Sequence, residues 1–423
     1  MPRTPVVDLA AALVATPSPN PPGGERAVAG VVADALRDRG LPSPVTIARD
    51  PERPNLAATL DFGPGGRHLC LSGHLDTKPV GDAVWSVDPM RATIDGDRLY
   101  GLGSADMKGA VAAMIEAAAA LSAGGTAPRT GRLTLLFTAD EEDGAAYGAR
   151  HLAGGALTEM PAAVGMPPID AVVIGEPGGL DADWDRLHRV SRGIARIRIT
   201  VGGDQGHSSL AERTGAVNAS VEMARLLAAF ADGFRPSVPG RDDIDGWAAT
   251  VNAGLRVAGG VGYGVIPGEA SFDAEARLLP GMDRDSFDAD LRAFLAEAAR
   301  ANPRLRAEAG YDAPPCDWLP GTEVPADAPV VAAVRTAFAT ALGTVPPDGV
   351  FPGTTDAAWL HGLAGLPTMP AVGPGLLSRC HGRDEWVSVT AVEQAVGIYR
   401  ELAVAFCAGG GARTAAEPEG GDR

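Results

Sequence analysis

Two helical stripes open the chain. Apolar residues recur every three to four positions over Val6–Ala15 and over Glu25–Arg39, where Val28, Val31, Val32, Ala35 and Leu36 share one face. Between them, Thr16–Pro22 is so rich in proline that it has too few amide hydrogens and too fixed a backbone to stay helical. Three strands follow at Pro44–Ala48, Asn55–Leu60 and Arg67–Leu71, separated by proline and glycine clusters. After a polar loop carrying Trp85 come the alanine-rich helix Lys108–Leu121 and two continuous apolar runs, Leu133–Thr138 and Ala171–Ile174. Runs of that kind belong to parallel strands covered on both faces, so the pattern predicts an α/β domain.

At Gly193 the pattern changes. Ile194–Val201 alternates apolar and polar residues, as a strand with one solvated face does. Helices over Ala216–Phe230 and Ser286–Arg300, with strands over Thr250–Val257, Glu269–Leu279 and Arg304–Tyr311, complete the order strand, helix, strand, strand, helix, strand. From Pro329 the helix-then-strand texture returns. The expected architecture is therefore an α/β domain in two parts, residues 1–192 and 319–408, whose mixed central sheet is flanked by helices. A small α+β insert of ferredoxin-like order, residues 193–318, interrupts it, and residues 409–423 are expected to form a disordered tail.

Composition narrows the function. At 423 residues with 45% hydrophobic content the chain can fill two cores. A formal net charge of -17 argues against a nucleic acid partner, since phosphate binding needs a basic face. That charge suits divalent cations, although solubility accounts for it equally well. No apolar run reaches the roughly 18 residues of a membrane helix, and Asp8 inside Val6–Ala15 makes that segment a poor signal peptide. Cys70, Cys316, Cys380 and Cys407 have no paired spacing and read as buried thiols of a cytoplasmic protein. Lysine occurs only at Lys78 and Lys108 beside abundant arginine, a bias read as genome composition.

The polar residues that end these strands carry the candidate chemistry. Leu69–Leu71 runs into His74 and Asp76, a pair in which the imidazole can bind a metal while the Asp accepts its other ring hydrogen. Small residues before Asp106 let the backbone turn its carboxylate inward, Leu133–Thr138 delivers Glu141 and Glu142, Ala171–Ile174 delivers Glu176, and His381 follows a later break. Open α/β sheets bind ligands outside the carboxyl ends of their strands. Imidazoles and carboxylates without thiolates suit zinc, cobalt or manganese, with zinc the default. One acidic residue between two ligand pairs would bridge two ions about 3.5 to 4 Å apart.

In order along the chain stand His74-Leu75-Asp76, Asp106-Met107-Lys108-Gly109, Asp140-Glu141-Glu142, Glu176-Pro177, Gly206-His207-Ser208-Ser209 and Gly373-Pro374-Gly375 followed by His381. The ordered set, spanning Pro17 to Val389, resembles the di-zinc family of acetylornithine deacetylase, succinyl-diaminopimelate desuccinylase, aminoacylase and carboxypeptidase G. That resemblance implies a zinc-peptidase-like catalytic domain in which His74 and Glu176 hold one metal, Glu142 and His381 the other, and Asp106 bridges. It also implies Asp76 as the partner of His74 and a cis peptide bond at Asp106-Met107.

Further roles follow from the same resemblance. Glu141 would take a proton from the bridging water and pass it to the leaving amine, which requires a loop there, because neighbours on a strand point to opposite faces. His207 would come from the partner subunit of a homodimer, formed through the insert, to steady the oxyanion. The insert would act as a hinged lid. Arg277 on an acidic-x-Arg strand, Asn252 on its neighbour, and the backbone of Gly373 and Gly375 would bind the substrate. Two positions depart from the family: Gly264 stands where many relatives carry Asn, and Ala358 where many carry Arg. His68, His151, His188 and His361 lack such context and read as structural or exposed.

The leading expectation is thus hydrolysis of an amide in an N-acyl amino acid or similar small molecule. A dipeptidase or carboxypeptidase of the same architecture is the alternative. A non-catalytic binding protein on this scaffold should have lost Glu141 or a ligand, and all are present.

Overall fold

The apolar runs assemble into one six-stranded sheet in the computed structural model, which describes residues 3–125, 127–157 and 168–409. Its strand order is Val45–Ile47, Asn55–Gly63, Gly131–Thr138, His68–His74, Ala171–Ile174 and Thr368–Met369. His68–His74 lies inside the sheet, parallel to both neighbours, and Asn55–Gly63 joins antiparallel, so the sheet is mixed. This strand runs past the expected end at Leu71 because Ser72, Gly73 and His74 stay in the backbone ladder, opposite Leu136, Phe137 and Thr138. His74 is its last residue. The helices Gly109–Ser122 and Val389–Cys407 pack on each other and on His68–His74 and Gly131–Thr138, which buries the central strands completely or nearly so.

Close approach explains two glycines. A Cβ at Gly73 would lie 2.8 Å from Met107 Cε, and one at Gly175 would lie 2.9 Å from the same atom. Bare backbone within one strand and just past another thus seats Met107, which places its neighbour Asp106 at the strand ends.

The insert forms a second sheet, ordered Thr250–Gly259, Glu269–Leu278, Gly193–Gly202 and Arg306–Tyr311, with every pairing antiparallel. Along Glu269–Leu278, Ala270, Phe272, Ala274, Ala276 and Leu278 are buried while the intervening residues are not. With Phe230 of Ala219–Gly233, Phe234 just after that helix, and Phe287 of Arg284–Ala301, they build one core. Ala219–Gly233 starts three residues later than periodicity suggests, because Asn218 is extended and caps the amides of Ser220 and Val221.

By contacts the chain divides into two units, 1–187 with 325–347 and 364–423, and 188–324 with 348–363. The sequence reading kept 348–363 in the second part of the catalytic domain; instead it clusters with the insert. Buried Arg189 explains this, since its guanidinium donates to Asp348 at 2.8 Å and to Glu323 at 2.5 Å. Residues 410–423 of the expected tail lie outside the described residues. No described helix is long and apolar enough to cross a membrane.

Candidate metal centre

Five side chains meet at the carboxyl ends of the first sheet's strands. His74, Asp106 and Glu176 form one donor set, Asp106, Glu142 and His381 the other, and within each set the candidate ligand atoms lie within 4.8 Å of one another. The two oxygens of Asp106 are divided between them. Oδ1 is 2.9 Å from His74 Nε2, and Oδ2 is 3.1 Å from His381 Nε2. Glu176 Oε1 lies 3.5 Å from His74 Nε2, and Glu142 Oε1 lies 3.3 Å from His381 Nε2. The Asp106–Met107 peptide bond is cis.

Burial makes this arrangement costly without cations. Burial alone would lower the pKa of His74, but the hydrogen bond to Asp106 and the charges of Glu176 and Glu141 outweigh it and hold the ring well above its ordinary value. His381, opposed by burial in the same way, is raised to about 10 by Asp106 and Glu142. Burial and the neighbouring Asp106 charge push Glu176 well up. Glu142 Oε1 is buried and makes no hydrogen bond. Two imidazoles and three carboxylates, one of them with an orphaned oxygen, fit two divalent cations, which would replace the protons that balance the charge.

The supporting contacts differ from expectation at Asp76. The His74 Nδ1 hydrogen faces the Asp76 backbone carbonyl at 2.9 Å, not its carboxylate, which is 3.6 Å away. That carboxylate is fully buried and takes three donors: the amide of Glu141 at 3.2 Å, the amide of Glu142 at 3.0 Å and Asn20 Nδ2 at 2.8 Å. Two amides of a tight turn satisfy a buried anion better than one imidazole. Glu141 and Glu142 occupy a short 3-10 turn entered through Asp140, whose φ of 64° ends the strand. The half-buried Glu141 and the buried Glu142 thus both stand off the strand.

Sequence reasoning missed the residues that hold these turns. Glu385 Oε1 accepts the amides of Ala105 and Asp106, at 2.9 and 3.1 Å, and so fixes Asp106 from 279 positions away in sequence. Asp140 accepts from Asn20 Nδ2 and pairs with Arg53, each at 2.9 Å, and Arg53 also grips buried Glu25 with two nitrogens. Asp140 follows an apolar strand and is legible as part of its motif, whereas Asn20, Glu25, Arg53 and Glu385 end no such run. The backbone of Gly373 and Gly375 is engaged as well: Gly373 donates to the Glu176 carbonyl at 2.8 Å and Gly375 to Asp183 at 3.2 Å. The Gly373 amide thus holds the Glu176 turn and the Gly375 amide is taken by Asp183, which differs from the expectation that both are offered to a substrate.

The insert carries the remaining candidates. Exposed His207 pairs with Val265 in a two-residue ladder, and its Nδ1 lies 2.9 Å from Ser209 Oγ. Arg277 donates to Thr354 Oγ1 at 3.2 Å and pairs with Glu275 at 2.6 Å. Asn252 stands opposite Glu275 in the ladder, on the same sheet face. Arg192, which the sequence reading passed over, is half-buried, has an unpartnered Nε and feels the charge of Arg277. At the two departures, Gly264 has φ +82° with open space at its Cβ, and Ala358 is buried.

The sequence profile of peptidase family M20/M25/M40 matches residues 70–405, a span holding all five candidate ligands. The chain belongs to that family. This M20/M25/M40 chain is 31% identical over 375 residues to a succinyl-diaminopimelate desuccinylase of Methylocella silvestris, covering 88% of this chain and 90% of that one. Against an acetylornithine deacetylase of Proteus mirabilis it is 32% identical over 357 residues, covering 84% and 82%. An M20 family metallo-carboxypeptidase from Sulfolobus solfataricus shares the fold, with a TM-score of 0.72, 18% identity, and coverage of 95% of this chain and 99% of that chain. The resemblance carried by the ordered motifs is thereby borne out, and the chain stands among metallohydrolases of amide bonds.

Proposed function

We propose that the protein removes the acyl group from an N-acyl amino acid or a similar small amide, with two zinc ions as its native metals. The observation that carries this reading is the division of Asp106, whose two oxygens face separate donor sets. Divalent ions held there supply Lewis acidity and acidify water. Glu141, standing off the strand beside Glu142, takes the water's proton and passes it to the leaving amine. Asp76 and Glu385 keep Glu142 and Asp106 in place through their backbones.

On the insert, Arg277 and Arg192 take a carboxylate of the substrate, with Asn252 presenting an amide from the same sheet face as Glu275. His207 steadies the oxyanion and acts across a homodimer built through the insert. Support for that dimer comes from the edge strand Thr250–Gly259, which exposes Leu255 and Val257, and from exposed Val261 and Tyr263 just beyond it. A cytoplasmic location accords with the absence of any disulfide among the four cysteines.

A dipeptidase or carboxypeptidase reaction is the second reading, favoured by the same arginine pair, which suits the terminal carboxylate of a peptide. Amine release from N-acetyl and N-succinyl amino acids, measured beside dipeptides, separates the two. The proposal expects kcat/KM at least about tenfold higher for the acylated substrates. Reversal of that order establishes the peptidase reading, and no turnover by protein holding two metal equivalents removes both.

A further inference from the structure

The chain's only two lysines stand in different settings. Lys108 is buried, and its Nζ donates to the Thr16 carbonyl at 2.8 Å. Lys78 follows the metal-site strand by four residues, and its side chain is 36% exposed. Its Nζ lies 3.1 Å from Glu142 Oε2 and also donates to the Glu142 backbone carbonyl. Glu142 is therefore divided. The outer oxygen faces a fixed cation, while Oε1 faces His381 at 3.3 Å without a hydrogen bond.

Nothing comparable serves the other donor set. Among the described residues, the ion pairs of Asp106 and Glu176 run only to His74 and His381. A dication entering beside Glu142 meets a carboxylate whose charge is partly spent, with an ammonium just behind it in a mostly buried place where repulsion is weakly screened. A dication entering beside Glu176 meets neither.

Resting on the two-cation reading above, we propose that Lys78 is a positioning residue that makes the two halves of the centre unequal. It turns Glu142 so that Oε1 is the oxygen offered to a cation, and it weakens the Glu142–His381 half for a dication while leaving the His74–Glu176 half as it is. The second ion is then the exchangeable one.

Calorimetric titration of the metal-free full chain with zinc, with a chelator competition for the tighter step, tests this. Wild type should take up two equivalents with dissociation constants at least tenfold apart. Lys78→Met should tighten the weaker constant at least tenfold and leave the tighter within threefold. Lys78→Arg, which keeps the charge, should stay within threefold of wild type at both. Lys78→Gln gives a second neutral variant should circular dichroism find the methionine protein unfolded. A weaker constant unchanged in the neutral variants, or both constants moved alike, overturns the role of Lys78. Fewer than two equivalents in wild type instead overturns the two-cation reading.

Discussion

Asp76 holds Glu142 by the backbone: Oδ2 of the aspartate accepts the Glu142 amide at 3.0 Å. The carbonyl of the same aspartate meets His74 Nδ1 at 2.9 Å, so one residue orients a ligand in each donor set. Removing its carboxylate leaves two turn amides without an acceptor. Asp76→Ala should therefore weaken zinc binding by about 10- to 100-fold, the usual cost of losing such support. Competition with a chromophoric chelator measures it, and an unchanged affinity would refute the coupling.

Glu141 contributes charge to the centre but belongs to neither donor set. Glu141→Gln should retain two zinc equivalents by elemental analysis and lose at least roughly 100-fold in kcat, within the range expected of a general base. A variant that turns over at the normal rate would need another proton acceptor. His207→Ala should likewise keep its metal and lose about 100- to 1,000-fold in kcat.

Arg277 shares its sheet face with Glu275 and is partly exposed, and the proposed function gives it a carboxylate of the substrate. Arg277→Ala should raise KM by roughly 10- to 100-fold for substrates bearing a free carboxylate and leave kcat nearly unchanged. Substrate amides lacking that carboxylate provide the control. They should respond equally in both proteins.

Acid should unlock the Glu25–Arg53 pair. Burial pushes the Glu25 carboxyl up, but the Arg53 guanidinium and the backbone amides outweigh it and hold the group below its ordinary 4.5. Below that value the unfolded chain binds more protons than the folded one, so stability rises with pH there. The stabilisation is complete above about 4.5 and lost as pH falls through the depressed folded value. In urea unfolding of the metal-free protein, Glu25→Gln should cost about 3 kcal/mol at pH 7, as breaking a buried pair does. That difference should shrink steadily in acid, and a constant gap would exclude this linkage.

How legible all this was depended on whether a polar residue interrupts a periodic pattern. His74, Glu142 and Glu176 stand out because each ends or closely follows a buried strand, and alternation along Glu269–Leu278 marks the insert's sheet. Glu385 gives no such signal: it reaches the Ala105 amide across 280 positions of sequence. Arg192 and Lys78 look like ordinary surface cations until folding sets one beside Arg277 and the other beside Glu142. Asp76 was legible in place but not in use, because the turn amides that claim its carboxylate become its neighbours only in three dimensions. For the same reason the run at 348–363 was placed with the sequence that flanks it, and not with its packing partners.

The position of the insert between Glu176 and His381 has a consequence for synthesis. His74, Asp106 and Glu176 leave the ribosome before any residue of the insert, whereas His381 follows all of it. A nascent or prematurely terminated polypeptide ending within the insert therefore carries every member of one cage and lacks a member of the other. Such fragments would compete for divalent metal while being unable to complete the second cage.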